Sequence, residues 1–313
     1  MKFTLEYPSE IPDAAPGFLA PDLITRLAVQ AEESGFDAIA FSDHPAPSAK
    51  WRHSGGHDTF EPALALSYIA AVTTRIRVMT NLYVLPFRNP YLAAKTLTSL
   101  DILSGGRLIA GVGAGYLRSE FSALGVAFDQ RAFLLDSGLD ALVRIWTRPD
   151  EPVIGDDFAA TGPMWLSRPV QHPHPPIWIG GNGKAARRRV VRYGQGWCPV
   201  IAPPSMASSI RTAVIDSPTK FGRAVEQLRA ELSSAGRDPA SVDIQIDVPV
   251  VNFDARDSVT RSLERLDEFA GLGATWAIVH VDASSVGAAT EYLTAFSDTV
   301  IRTRRDQQRA YVG

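Results

Sequence analysis

Three patterns in the sequence have residue types and spacing suited to chemistry. Asp43-His44 stands before Pro45, directly after an apolar stretch. An imidazole there can give or take a proton near neutral pH. Asp43 can fix its tautomer or accept from a ring N–H of a cofactor. A His bonded to backbone and a metal ligand are the competing readings of His44. The second pattern is Gly111, Gly113 and Gly115, at every second position from the end of an apolar run. Two is the strand period, so one face of that strand end lacks side chains and can receive something flat. A glycine bend with no ligand is the alternative. The third pattern is Gly180-Gly181-Asn182-Gly183, followed by Lys184, Arg187 and Arg188. Glycines before a helix with basic first turns suit a phosphate or carboxylate. The alternative is a plain loop before a solvated basic face.

Other residues have weaker claims. Trp51 and Tyr116 can pack on a flat ligand or close a pocket, and Tyr116 is also a candidate proton donor. Glu120 reads as a charge on a helix surface, and Cys198 as a small buried residue. His53 and His57 are four apart, but Gly55-Gly56 between them argues against a helix and so against a metal pair. No metal is expected.

These groups need elements to hold them. Apolar runs bounded by glycine or proline predict strands at residues 2–7, 36–41, 76–83, 107–113, 177–179, 196–200, 242–250 and 274–281. Helical spacing predicts helices near 21–34, 62–72, 90–103, 117–146 with one break, 184–193, 218–235, 258–272 and 286–302. Residues 46–60 read as a loop. Residues 147–176, rich in Pro, Gly, Trp and His, read as an excursion over one end of the domain. Strands alternating with helices point to a parallel sheet, and eight such units in 313 residues fit a closed (β/α)8 barrel. Chemistry then belongs at the carboxyl ends of the strands, where the three patterns fall.

Several function classes are excluded or unsupported. Net charge is −3, with no basic excess for nucleic acid or anionic lipid. The single cysteine cannot form an internal disulfide, and the opening residues lack the apolar core of a secretion signal, so a cytoplasmic protein is expected. Gly111-x-Gly113-x-x ends on Tyr116, so the dinucleotide fingerprint fails. The first strand has no His-x-His, and there is no G-x-S-x-G elbow.

The segments FDAIAFSDHP (36–45), IRVMTNLYVLPFRNP (76–90), LDILSGGRLIAGVGAG (100–115) and PPIWIGGNGKAARRRVVRYGQGW (175–197) resemble the bacterial luciferase-like monooxygenase family. The SDHPAP…GGHD pattern is most similar to the branch that uses the deazaflavin coenzyme F420. The resemblance implies a single-domain (β/α)8 TIM barrel over residues 1–313, with an insertion over the C-terminal ends of the strands. It implies a flavin-type ring across the barrel mouth, near Asp43 and His44, with His44 as acid/base. Leu82 and Tyr83 match the point where relatives carry a non-prolyl cis peptide that backs the ring. Gly113, Ala114 and Gly115 match backbone contacts to the ring edge, and Gly180, Gly181 and Asn182 match a loop for the cofactor tail or phosphate. Where the family's sugar-phosphate dehydrogenases carry Glu, this chain has Tyr116. The implied activity is hydride transfer between F420 and a small organic substrate, with Trp51 in the substrate pocket and a homodimer as the assembly. An FMN-dependent monooxygenase, served by a separate reductase, is the alternative. A non-catalytic flavin- or deazaflavin-binding barrel is an alternative of another class.

Overall fold

The structure is a computed structural model that describes residues 1–155 and 158–305. Its strands are β1 (Lys2–Glu6), β2 (Ala38–Phe41), β3 (Arg77–Thr80), β4 (Tyr83–Val84), β5 (Leu108–Gly113), β6 (Ile177–Gly180), β7 (Gly196–Cys198), β8 (Asp243–Val248) and β9 (Trp276–Val279). All pair in parallel around a closed circuit, β1-β2-β3-β5-β6-β7-β8-β9 and back to β1. The short β4 carries the third barrel position upward along β5. The circuit therefore has eight positions. Strands in a closed parallel barrel are covered inside and out, which is why Leu108–Gly113 is buried along its whole length.

Around the barrel run α1 (Pro21–Glu33), α2 (Ala49–His53), α3 (Pro62–Val72), α4 (Pro90–Leu103), α5 (Arg118–Ala123), α6 (Arg131–Thr147), α7 (Lys184–Tyr193), α8 (Pro204–Ser209), α9 (Pro218–Ser234), α10 (Arg256–Gly271) and α11 (Val286–Phe296). Their starts are written locally. Proline occupies the first turn of α3, α4 and α9, and Glu61, Asn89 and Ser217 each accept a backbone N–H there.

Four expectations change. The strand expected over 76–83 is two strands, β3 ending at Thr80 and β4 starting at Tyr83, and the peptide between them at Asn81–Leu82 is cis, one residue earlier than the family match placed it. The loop 46–60 contains α2, capped by the Ser48 hydroxyl. The short helix α8 was not foreseen. The last helix ends at Phe296 and continues as a wider π turn, Ser297–Arg302.

The barrel interior is solid. Ala38, Ala40, Met79, Ile109, Trp178, Cys198, Trp276 and Ile278 form one buried plug. The Trp178 and Trp276 rings meet edge to face at 5.1 Å. Gly196 makes room for Trp178, since a Cβ there would lie 2.3 Å from the indole. Thr4 donates to Gln245 Oε1 at 2.8 Å across this interior. By strand alternation Glu6 and Asp247, two residues further on, point inward at the mouth, as does His280 beyond Ile278. With the interior filled, a ligand has room only at the ends.

The excursion 147–176 has no regular structure among its described residues beyond a bridge from Ile154 to Ala159. Its anchors run along α4, and those of residues 170–171 lie at the end of α4 and the start of β3, so at that point it does not lie over the carboxyl ends as expected. Val153 N donates to the Tyr91 hydroxyl at 3.2 Å, and Gln171 also accepts from Arg77 at the start of β3. The main tether is Asp101, fully buried in α4. It accepts from Val170 N (2.7 Å), Gln171 N (3.0 Å) and Gln171 Nε2 (2.7 Å). The strand ends are instead overhung by residues 42–61, 114–130 and 199–217.

Replacing Asp101 by Ala removes three hydrogen bonds to a buried carboxylate, so the Asp101→Ala protein is expected to lose roughly 3 kcal/mol of stability. Hydrogen exchange at Val170 and Gln171 should rise well above that of the barrel strands. Unchanged exchange there would show that the tether is not what holds the excursion.

Candidate functional site

At the third barrel position a leucine closes the mouth. After the bend, Leu82 turns inward and packs on the interior plug. Its side chain lies against Gly111 and Gly113, two of the three glycines whose bare face the sequence singled out as open, and against Gly180 at the end of β6. A Cβ on Gly180 would come 2.0 Å from Leu82 Cδ1 and one on Gly113 3.3 Å from Leu82 Cβ; one on Gly111 would lie 3.2 Å from Leu82 Cδ2 and, closer still, 2.0 Å from Thr80 O. The hollow is therefore filled by Leu82, and the apolar seat at the mouth is the half-buried Leu82 itself. Gly115 has left the strand and takes φ +72°, where its missing Cβ spares Val84 and Phe121. Ala114 is half-buried beside it. Tyr83 points outward instead: it is buried, with the Arg88 guanidinium 3.8 Å from its ring centroid. Its side chain does not reach the mouth.

Asp43 holds the bend in place. Its buried carboxylate accepts from Val84 N at 2.7 Å and takes both terminal nitrogens of Arg88, Nη2 at 2.9 Å. Such bidentate pairing fixes orientation as well as charge. It leaves Asp43 with no role in fixing His44, one of the two roles the sequence left open for it.

Glu120 does that work. Far from being a surface charge, it is 2% exposed. Its Oε2 lies 3.2 Å from His44 Nδ1, and Oε1 accepts from Ala46 N at 3.4 Å. A carboxylate on Nδ1 selects the tautomer that leaves a lone pair on Nε2. Around His44 stand Trp51 (ring centroids 4.6 Å apart), His57 (5.5 Å) and Tyr116 (5.7 Å). So His44, Trp51 and Tyr116 come together as the sequence suggested, with His57 added. Burial, reinforced by Glu120, pushes the Tyr116 phenol up to about 12, so it keeps its proton.

Beyond His57 lies a second acidic group. Glu10 is buried, and its Oε2 accepts from Ser42 N at 2.9 Å and lies 3.8 Å from His57 Nδ1. Its Oε1 and His57 Nδ1 have no hydrogen-bond partner in the protein. Buried orphans of this kind mark room for a polar ligand group or a water. Burial, and then the Glu6 charge, push Glu10 up to about 8. Burial and His44 pull His57 down.

On the wall formed by β1, β8 and β9, His280 Nδ1 meets Glu6 Oε2 at 2.6 Å and Nε2 meets Asp247 Oδ1 at 3.4 Å. Burial disfavours the charged ring, but Glu6 and Asp247 outweigh it and push His280 up to about 10. Two carboxylates thus flank one imidazolium. Sequence reasoning missed Glu6, Glu10, Asp247 and His280. The signal available was strand parity, which aims all but Glu10 into the mouth.

The glycine loop after β6 is also reassigned. Asn182 is buried and committed to structure: Nδ2 donates to Val200 O and Ala213 O, and Oδ1 accepts from Val200 N. Arg187 pairs with Glu231 and Arg188 with Asp136, so neither faces an anion at the loop. Gly180 serves Leu82, and Gly181, at φ +105°, makes the turn. Even the N–H groups of Gly181 and Asn182 are taken, by Cys198 O and the Thr212 hydroxyl, so only the N–H groups that open α7 are left for an anion.

The sequence pattern of the luciferase-like monooxygenase family matches residues 1–310. Among curated relatives, the F420-dependent glucose-6-phosphate dehydrogenase of Amycolatopsis mediterranei (strain U-32) is 31% identical over 184 residues, 56% of this chain and 53% of that protein. The chain thus spans about half the length of that relative. Among solved structures, monooxygenase RslO1 from Streptomyces bottropensis superposes with a TM-score of 0.77 at 23% identity, covering 97% of this chain and 100% of the other. The oxygenating constituent of 3,6-diketocamphane monooxygenase from Pseudomonas putida, a type II Baeyer–Villiger monooxygenase in complex with FMN, gives 0.73 at 16% identity, with 96% and 97% covered. Among the described residues, no helix is long and apolar enough to cross a membrane.

Glu10 gives this site a signature in stability. The folded chain holds a proton on Glu10 up to about pH 8, whereas an unfolded glutamate releases it near its ordinary 4.5. Between those values the unfolded state binds fewer protons, so this group destabilises the fold as pH rises. A Glu10→Gln protein cannot ionise there. Its stability relative to wild type is expected to grow from pH 5 to pH 8, by at most about 1.4 kcal/mol per pH unit. Urea unfolding at pH 5, 6.5 and 8 measures it; a constant difference would mean that Glu10 is ionised throughout.

Proposed function

The chain belongs to the luciferase-like monooxygenase family, an oxidoreductase family, and from that premise we propose that it is an F420-dependent oxidoreductase moving a hydride between the deazaflavin and a small organic substrate. The observation that carries this reading is the His44–Glu120 pair, ringed by Trp51, His57 and Tyr116, at the same mouth as the apolar Leu82 cap. The residues fit a flat ring: Leu82 offers an apolar seat, and the half-buried Ala114 and Gly115 offer backbone at its edge, Gly113 being covered by Leu82. Bound there, the deazaflavin supplies a carbon that gives or accepts a hydride.

The chain's own residues do the rest. His44, held by Glu120 through Nδ1, presents Nε2 to the reacting oxygen of the substrate and takes or returns its proton. Trp51 and Tyr116 flank that position and exclude water. Glu6 and Asp247 give the substrate side a net negative wall, which favours an uncharged or cationic substrate over a phosphorylated one. Tyr116, in place of the acid of the sugar-phosphate dehydrogenases, fits the same choice. The FMN-bound neighbour supports a second reading, an FMN-dependent monooxygenase fed by a separate reductase. A cytoplasmic setting fits the single, buried Cys198.

Parallel fluorescence titrations with oxidised F420 and FMN decide between the readings. F420 is expected to bind at micromolar concentration or tighter, and FMN at least tenfold more weakly. The reverse order selects the monooxygenase, and no binding of either removes both. Once a turnover assay exists, His44→Ala is expected to lower kcat by about 100- to 10,000-fold while F420 affinity changes little. An unchanged kcat takes His44 out of the chemistry.

We also propose a homodimer. Leu64 and Tyr68 lie one turn apart on α3, and Leu92 and Leu103 lie on one face of α4, all exposed. Light scattering should give twice the chain mass, and Leu64→Glu with Leu92→Glu should return it to the monomer value. A wild-type monomer ends this proposal.

A further inference from the structure

Three guanidinium groups gather on one phenyl ring at the rim of the mouth. Phe128 lies just before α6 and is itself buried. The central guanidinium carbons of Arg118, Arg131 and Arg211 stand 4.1, 4.0 and 5.2 Å from its ring centroid. They come from three separate places: the start of α5, the start of α6 and the turn after α8. Arg131 Nη1 donates to Phe128 O at 3.1 Å, and Arg211 Nε to Tyr116 O at 3.3 Å. Arg211 is one of two non-glycine residues with positive φ among those described, at +57°.

This cluster is under-neutralised. Among the described residues its one carboxylate partner is Asp129, 3.2 Å from Arg118, with both side chains more than half exposed. An exposed pair of that kind contributes little. Burial first, and then Arg211 and Arg118, hold Arg131 below its ordinary range. Along α7, by contrast, each arginine has an acid: Arg187 Glu231, Arg188 and Arg189 Asp136, Arg192 Asp140. Like charges assembled on a ring without matching acids leave room for an external anion, and the forked guanidinium suits phosphate and carboxylate oxygens.

Position says which anion. Arg211 grips the carbonyl of Tyr116, in the loop after β5. Its neighbour Thr212 accepts from Asn182 N through its hydroxyl, at 2.9 Å, in the loop after β6. The cluster therefore sits beside the gap between the two loops, where a ligand reaching out of the mouth would pass. We propose that Arg118, Arg131 and Arg211 form an anion clamp for the charged tail of the bound cofactor. This rests on the F420 reading: the tail of that coenzyme carries a phosphodiester and glutamate carboxylates, several anions in a row.

The test compares F420 with the same deazaflavin lacking its tail, by fluorescence titration of the full chain. Wild type should bind F420 at least tenfold more tightly. Raising salt from 50 to 500 mM should remove most of that advantage without touching the tail-less ring. Arg131→Gln with Arg211→Gln should bring F420 to within about threefold of the tail-less compound, whose own affinity stays as in wild type. Equal binding of the two compounds by wild type, or a salt-independent difference, overturns the clamp. Equal weakening of both by the variant means the arginines only support the fold, and also overturns it. If neither compound binds, the F420 reading has failed by itself. Calorimetry with inorganic pyrophosphate then decides the clamp separately: heat in wild type and none in the variant keeps an anion site, and no heat in wild type removes it.

Discussion

A leucine side chain that tolerates no Cβ beneath it governs this barrel mouth. Leu82 sits against Gly111, Gly113 and Gly180, and at Gly180 even an alanine would overlap it. Gly113 and Gly180 are bare so that Leu82 can descend and seal the interior, whereas at Gly111 a Cβ would first meet the Thr80 carbonyl oxygen, at 2.0 Å. Sealing matters because the plug of Trp178, Trp276, Met79 and Ile109 would otherwise meet solvent. The result is a floor that is flat, apolar and close to the strand ends, the kind of surface on which a planar ring can rest.

That floor is held from the side by charge. Asp43 joins the end of β2 to the bend through Val84 N and Arg88, all in a setting where an unpaired carboxylate would be costly. Its Asp-His sequence neighbour is then free to be served by another acid. Glu120, from a helix that follows a different strand, takes Nδ1 of His44. Two adjacent residues thus have unrelated partners, one structural and one at the site.

The remaining charges divide the mouth into regions. Glu6, His280 and Asp247 make one wall negative, while the rim beyond Tyr116 carries three arginines with a single exposed acid. Separation of sign across the mouth orients any ligand that has an uncharged ring and an anionic end. The cation-rich rim and the acidic wall favour opposite ends of such a molecule.

Much of this was legible in the sequence. Strand and helix order followed from apolar runs and from Pro, Gly and capping residues, because those signals act within a few residues. Helix 184–193 came out with the boundaries it has in the structure. His44 and Tyr116 followed from strand-end placement in a barrel, and Trp51 from the loop that follows His44. What the sequence could not decide was pairing between distant residues. Glu120 reads as a surface charge on its own helix, and only the fold carries it to His44, 76 positions away. Arg187 and Arg188 read as an anion site, and only the fold turns them to Glu231 and Asp136. The glycines show where a Cβ is forbidden, but not that Leu82 is the reason. Local steric and capping preferences are properties of a short stretch of chain, whereas the partner of a buried charge is set by which elements the closed barrel brings side by side.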